Sequence, residues 1–532
     1  MNELEFDVVV VGGGSGGCAV AGGLAHGSDL SVCVLEAGPP DSDFRIRVPL
    51  GVVSLMGHKH LDWRYTSEPH SHLNGRRVSV PRGRTLGGSG SINSMVYIRG
   101  RASDYDAWAA DGCDGWDWET VLKRYKRAEN NSRGASRFHG AQGPLHVQDL
   151  PSPHPMAEKL ALAAAEHGIP ANDDFNGETQ EGIGNYQTTM RNGRRWSPAD
   201  AYLHPAVAKQ RVTVLNDVHV DRLLLNGRRA VAVMAMRDGE RVSIKARKEI
   251  VLAAGAVSSP AILLRSGIGP AAHLSDVGIQ TVVDLPGVGE NLHDHPAVGM
   301  HYGGGNQGYA LSLSTLPANA LAPFRYLFSG RGLFASNTVE AGGFARTLDS
   351  LEEPDVQFHF IPARLGHEGS PLVWGRGFYS DVCVLKPKSR GRLRLVDADP
   401  LTAPSIDLNL LAEPEDEATL LRGAKLLRQI LASEHLRSGG AKELVPGPDV
   451  QSDDDLLAMI HARLGTAYHP VGTLRMGAQD DPRTVVDPRL SVVGMDNVRV
   501  ADASIMPEVV AGNTNAPSMM IGATAARFIR SA

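Results

Sequence analysis

Residues Phe6 to Gly17 read FDVVVVGGGSGG, and Leu30 to Gly38 read LSVCVLEAG. The first run is apolar except for Asp7, which suits a strand buried on both faces of a parallel sheet. A glycine turn follows, a helix is expected from about Ser15 to His26, and Leu30 to Leu35 reads as the next parallel strand. This βαβ unit carries the dinucleotide fingerprint G-x-G-x-x-G, with an acid, Glu36, 19 residues past Gly17. Gly12 permits the tight turn, Gly14 lets backbone N–H groups meet a pyrophosphate, and Gly17 allows close helix–strand packing. The helix start at Ser15 turns its positive dipole end to the phosphates. Glu36, followed by Ala37, would accept hydrogen bonds from the adenosine ribose, which argues against a 2′-phosphorylated NADP. On this unit alone NAD and FAD both stand.

Around that unit the chain is long, 532 residues, so two domains or one elaborated domain are expected. Hydrophobic residues at 42% and charged residues at 21% are ordinary for a soluble globular protein. Net charge is −6 and no long basic run occurs, so no nucleic-acid partner is expected. The cysteines Cys18, Cys33, Cys113 and Cys383 form no CxxC pair, which argues against zinc and against a disulfide framework, so no metal is expected. The opening MNELEFDVVVVGGG lacks the pattern of a secretory signal, and no long uncharged apolar stretch predicts a membrane span. The cytoplasm is the expected compartment, with peripheral contact at the inner membrane left open.

Further along, Glu249 to Ala254 reads as another buried strand, with a helix from about Val257 to Ser266 capped at Gly267. Val498 to Ala501 reads as a last short strand, and a helix is expected from about Pro517 to Phe528. Asp355 to Phe360 and Arg392 to Val396 alternate, as antiparallel strands with one exposed face do. The reading is an α/β chain, with α+β character in its substrate part: a nucleotide domain built from separated segments and a sheet-based substrate domain inserted between them.

Pro81 to Gly100 reads PRGRTLGGSGSINSMVYIRG, where Gly83, Gly87, Gly88 and Gly90 crowd a short span. Backbone wrapped around a flat or extended ligand explains such crowding better than a surface turn. With Gly255 to Gly269 (GAVSSPAILLRSGIG), GVGENLHDHP at 287–296, YHPVGTLRMG at 468–477 and GNTNAPSMMIG at 512–522, the chain resembles the glucose–methanol–choline (GMC) oxidoreductase family, on its bacterial alcohol and choline dehydrogenase-like branch. Both signature segments of the family, Gly83 to Asp106 and Gly255 to Gly269, are present.

The resemblance implies FAD, a Rossmann-like FAD-binding domain (1–155, 204–297 and 452–532) and an inserted antiparallel-sheet substrate domain (156–203 and 298–451). It also implies oxidation of an alcohol, with hydride passing to flavin N5. Matched to the family, Ser15, Glu36, Gly88 and Asn93 contact the cofactor, and Val220 holds the adenine edge. Asp502 and Ala503 lie near the ribityl chain and pyrophosphate, and Asn515 lies beside the isoalloxazine ring. Choline oxidase-like members bear a histidine just before the asparagine of the second cluster and bond the flavin through it; Ile92 stands there in this chain, so FAD is expected to be non-covalent.

Alcohol oxidation needs a base near the hydroxyl and a second polar group to fix its direction. The family position of the base falls on His469, whose imidazole suits proton abstraction near neutrality. Asn513 is its expected partner: an amide cannot act as a base but can hydrogen-bond the substrate oxygen. Glu340 could face the substrate or form an ion pair. His359 could point into the pocket, though a satisfied core histidine is the expected reading. Asp62-Trp63 and Trp116-Asp117-Trp118 are expected to supply packing. The electron acceptor is expected to be a quinone or another carrier, with O₂, and so an alcohol oxidase, as the alternative. A hydroxynitrile lyase with non-redox FAD is the third reading. Which alcohol is oxidised is not legible, because the pocket comes from the inserted segment.

Overall fold

A computed structural model describes residues 4–366 and 373–531. Its first sheet grows from the strand Leu4–Val11, whose valines Val8 to Val11 are buried. This strand pairs in parallel with Val32–Leu35 on one side and with Glu240–Leu252 on the other. Val212–Leu215 extends the first edge in parallel, and Val498–Val500 pairs in parallel with the end of Glu240–Leu252. The 13-residue strand Glu240–Leu252 serves two neighbourhoods. Its first half also pairs antiparallel with Arg229–Arg237, which pairs in turn with Val218–Asn226.

Two helices cover this sheet where it meets the glycine turn. Ser15–Gly27 follows the turn, and Asn515–Arg530 lies against it, starting two residues before the position expected from Pro517. Small residues permit the approach: a Cβ on Gly522 would sit 2.2 Å from the Gly16 carbonyl oxygen. Gly255–Arg265 likewise begins two residues earlier than Val257.

The second sheet is antiparallel, in the order Ala441–Val445, Pro296–Gly304, Gly377–Val384, Val356–Ile361, Ala341–Ala345, Gly182–Asn185, with Gly465–Thr466 paired to the start of Pro296–Gly304. Helix Pro414–Leu431 packs on one face, where a Cβ on Gly423 would meet Val382 and Val356 at about 3 Å. Strand Val356–Ile361 corrects the expectation of an exposed face: both sides are buried. Val356 sits beneath the helix, while Gln357, His359 and Ile361 face inward, as the two-residue period requires. Of the polar residues of the alternation, His359 therefore lines a cleft and Gln357 is buried behind it, and neither meets the solvent. Arg392–Arg394 lies outside this sheet and, among the described residues, pairs with Ser405–Asp407 in a two-stranded sheet. The overall class is α/β with an antiparallel sheet added, as the sequence reading expected.

Candidate active site

One cavity of about 1370 Å³ runs between the two sheets, from Glu36 and Ala37 at one end to His469 and Asn513 at the other. That volume exceeds what a drug-sized ligand needs and suits a dinucleotide together with a small substrate.

The glycine end is built by two loops that close on each other. Gly87 N–H donates to the Gly13 carbonyl at 2.7 Å. Gly88, at φ +54°, lies so close that a Cβ there would come within 2.8 Å of Gly14 Cα. Gly12, at φ +100°, passes under Ala253, whose carbonyl oxygen would be 2.5 Å from any Cβ. Gly14 caps the helix that starts at Ser15, and both line the cavity, leaving bare backbone toward it. Gly17 does not line the cavity; its missing Cβ makes room for the Gly12 carbonyl behind it, a close approach of helix and strand.

Glu36 anchors this end. Its two carboxylate oxygens accept from Gly13 N–H and Gly38 N–H, each at 2.9 Å. Burial outweighs these donors and pushes its carboxyl up to about 7. Each oxygen keeps a lone pair for a ribose hydroxyl. Val220, Asn93, Ala503 and Asn515 also line the cavity. Asn93 Oδ1 accepts from Met95 N–H at 3.0 Å and from Arg195 Nη1 at 2.9 Å. Ser15 Oγ donates to Asn515 Oδ1 at 2.7 Å, tying the first turn to the last helix. Asp502 lies at the wall, but its carboxylate is engaged with the protein, accepting from Gly255 N–H, Ser259 Oγ and both Ser504 donors. Ile92 also lines the cavity and packs with Ile46, Leu55 and Leu61. Bare glycine backbone, a buried carboxylate with free lone pairs and this length of cavity fit FAD.

At the opposite end His469 and Asn513 meet, as the sequence reading paired them. Asn513 Nδ2 lies 3.2 Å from His469 Nε2, and Gln357 Nε2 donates to Asn513 Oδ1 at 3.1 Å. Gly512, at φ +137°, carries Asn513 over Ile98, which leaves no space for a Cβ. Tyr468 takes φ +66°, and Asp294 Oδ1 accepts the His469 backbone N–H at 2.8 Å. Behind the wall, His295 presents Nδ1 to His469 Nδ1 at 3.0 Å. Burial, reinforced by His295, His359 and Arg82, holds His469 well below the ordinary imidazole value. Burial likewise pushes His295 down to about 3 and Asp294 up to about 7.

Sequence reasoning missed Asp294, His295 and Gln357. The first two stand inside GVGENLHDHP, quoted above only for its resemblance, and Gln357 lies in the alternating strand. His359 lines the cavity, with Nδ1 2.8 Å from Asp381 Oδ1 and no partner for Nε2 among the described residues, so it is no satisfied core histidine. Glu340 forms no ion pair among the described residues; its carboxylate accepts from Ser336, Tyr309 and the His154 N–H, and burial raises it. Trp116 is buried as expected, but Trp63 lines the cavity beside Tyr65 and His219.

Comparison with known proteins covers the whole arrangement. Models of the GMC oxidoreductase N- and C-terminal regions match residues 6–297 and 387–522. The chain is 42% identical to an alcohol dehydrogenase [acceptor] of Pseudomonas putida, over 98% of this chain and 95% of that one. It is 39% identical to an oxygen-dependent choline dehydrogenase of Rhizobium johnstonii, over 99% and 96%. Among solved structures, a pyridoxine 4-oxidase from Mesorbium loti superposes with a TM-score of 0.85 at 31% identity, covering 98% of both chains. A formate oxidase of Aspergillus oryzae RIB40 reaches 0.91 at 26%, covering 100% and 99%. The glycine-lined cavity and the full-length matches agree: the chain belongs to the GMC oxidoreductase family of FAD-dependent enzymes.

Proposed function

We propose that this enzyme oxidises an alcohol to an aldehyde or ketone, with His469 accepting the hydroxyl proton and Asn513 fixing the hydroxyl. The observation that carries this reading is the contact between His469 Nε2 and Asn513 Nδ2 in the cavity wall. FAD, when bound, supplies the hydride acceptor. Gly12, Gly14, Ser15, Glu36, Ala37, Gly88, Asn93, Val220, Asp502, Ala503 and Asn515 would hold it, with Gly17 acting behind the wall. Ile92 offers only a hydrocarbon side chain where a covalent tether would need a nucleophile, so the cofactor is held without a covalent bond. On this reading segments 1–155, 204–297 and 452–532 hold the cofactor, and 156–203 and 298–451 shape the substrate site.

The chain's own chemistry is proton handling and orientation. His469 is neutral because burial opposes its charge, so its Nε2 lone pair, which accepts an Asn513 N–H here, can take the hydroxyl proton once the substrate oxygen accepts that N–H. Asn513, held by Gln357, directs an amide N–H to the same point and can donate to the substrate oxygen.

The similarity to an acceptor-dependent alcohol dehydrogenase supports a quinone or other carrier as the electron acceptor. Mixing the enzyme anaerobically with alcohols should bleach the oxidised flavin band. His469→Ala should keep FAD and lose that bleaching by about 10²-fold or more. Retained bleaching in the variant refutes the assignment of His469, and no bleaching by any alcohol in wild type refutes alcohol oxidation. Stoichiometric O₂ loss during turnover assigns an oxidase in place of the dehydrogenase.

A further inference from the structure

Leu313, Leu321, Phe324, Leu327 and Phe328 each expose at least 60% of their surface. All lie on or just before helix Leu316–Ser329, in which Tyr326 is the one buried residue. The helix is held from one side: Tyr326 is buried there, and Asn319, on the same face, donates to the Ala310 carbonyl. Leu321, Phe324, Leu327 and Phe328 recur at the three-to-four spacing of a single stripe on the opposite side. Trp374, bridged to Leu311, adds an exposed indole beside this stretch. A surface helix ordinarily turns such a stripe inward, and a clustered apolar face left outward marks an interaction surface.

Charge identifies what covers it. From Tyr309 to Val339 the chain has no Asp or Glu, although the whole protein carries 59. The only charges in that stretch are Arg325 and Arg331, both exposed. The hairpin bearing exposed Arg191 and Arg194 abuts the helix end, where Gly193 touches the Gly330 backbone. An acidic protein therefore places arginines beside this apolar face. A twofold pairing of two copies through this face would bring those arginines toward one another. The helix, at 14 residues, is too short to cross a bilayer.

We propose that the outward face of helix Leu316–Ser329, with Leu313 and Trp374, docks on an anionic phospholipid surface. The helix lies in the headgroup plane with its phenylalanines and leucines inserted and its arginines on lipid phosphates.

The test is cosedimentation of FAD-loaded protein with vesicles of phosphatidylcholine, with and without phosphatidylglycerol. Binding should require the anionic lipid and weaken with salt. The pairs Phe324→Asp with Phe328→Asp, and Arg325→Glu with Arg331→Glu, should each weaken it by about 10-fold or more. Flavin content and Tm should stay as in wild type, because these side chains are exposed. Wild-type protein that stays in the supernatant overturns the proposal, as do variants that bind as wild type. A dimer in solution that Phe324→Asp dissociates, without vesicle binding, assigns the face to a second copy instead.

Discussion

His295 Nδ1 stands 3.0 Å from His469 Nδ1, and two facing imidazole nitrogens can share only one proton. Asn513 presents its amide N–H to His469 Nε2, so the proton of neutral His469 sits on Nδ1 and His295 accepts it. The lone pair of His469 is thereby aimed into the cavity by a residue that does not line it.

Replacing that acceptor should disable the base without touching the cofactor. In His295→Leu we expect alcohol-dependent flavin reduction to slow by about 10²-fold, since a histidine in the wrong tautomer cannot take the proton. His295→Asn, which retains an acceptor oxygen, should recover part of the rate. Stopped-flow absorbance reads both variants, and an unchanged rate in His295→Leu removes the tautomer assignment.

The depressed pKa of His469 sets a pH signature. Its proton-accepting form is the neutral one, so with Asp294→Asn removing the neighbouring carboxyl, reduction rates should stay level as pH falls through 6.5 and decline only at lower pH. An inflection at the ordinary imidazole value in that variant would contradict the buried geometry. Stability follows the same sign. Below 6.5 the unfolded chain binds protons that folded His469 refuses, so its contribution is complete above 6.5 and lost as pH falls toward the folded value. His295, down to about 3, and His154, down to about 4, act in the same direction. Glu36 and Asp294, raised to about 7, act the other way, so from pH 8 to 5 the denaturant midpoint should fall relative to that of His469→Gln, which keeps both carboxyls and lacks the imidazole.

Gly88 offers a test of the cradle. Alanine there faces both a left-handed backbone and Gly14 Cα at 2.8 Å, and relief would push the two loops apart. Gly88→Ala should lose flavin on purification as well as about 1–2 kcal/mol of stability from the backbone alone. Gly227→Ala has a similar φ of +60° with nothing within 4 Å, so it should cost stability and leave the flavin-to-protein ratio intact. Equal flavin loss in both would reduce the Gly88 effect to general destabilisation.

How much of this was legible in the sequence divides along physical lines. The valine run, the glycine turn and Glu36 are local signals, because strand burial, φ and helix start depend on adjacent residues, and the βαβ unit was readable from them. Helix starts shifted by two residues at Asn515 and Gly255, where capping is settled by tertiary neighbours. The strand at Gln357 and His359 misled because alternation reports that one face is polar, not whether that face meets water or a cleft. Asp294 and His295 were illegible for a different reason: their roles exist only opposite His469, a pairing across 175 and 174 positions.

Asp294 carries the last prediction. Its Oδ1 accepts the backbone N–H groups of His295 and His469 at 2.7 and 2.8 Å, while burial raises its carboxyl to about 7. Asparagine keeps a carbonyl oxygen for those donors and removes the charge. Near pH 6 Asp294→Asn should therefore match wild type in flavin content and reduction rate. Above pH 7 wild type gains a carboxylate beside the two imidazoles, which favours a proton arriving on His469, so the variant should fall behind. Stability moves the other way. A carboxyl raised above its unfolded value costs folding free energy increasingly as pH climbs from about 4 toward 7, and the amide does not. Asp294→Asn should accordingly melt higher than wild type at pH 8, and the gap should close toward pH 4. Asp294→Ala separates charge from hydrogen bonding, because it leaves two buried N–H groups without an acceptor at about 1–3 kcal/mol each. If Asp294→Asn melts as low as Asp294→Ala at pH 8, the carboxylate is a charged partner there and not a desolvated acceptor.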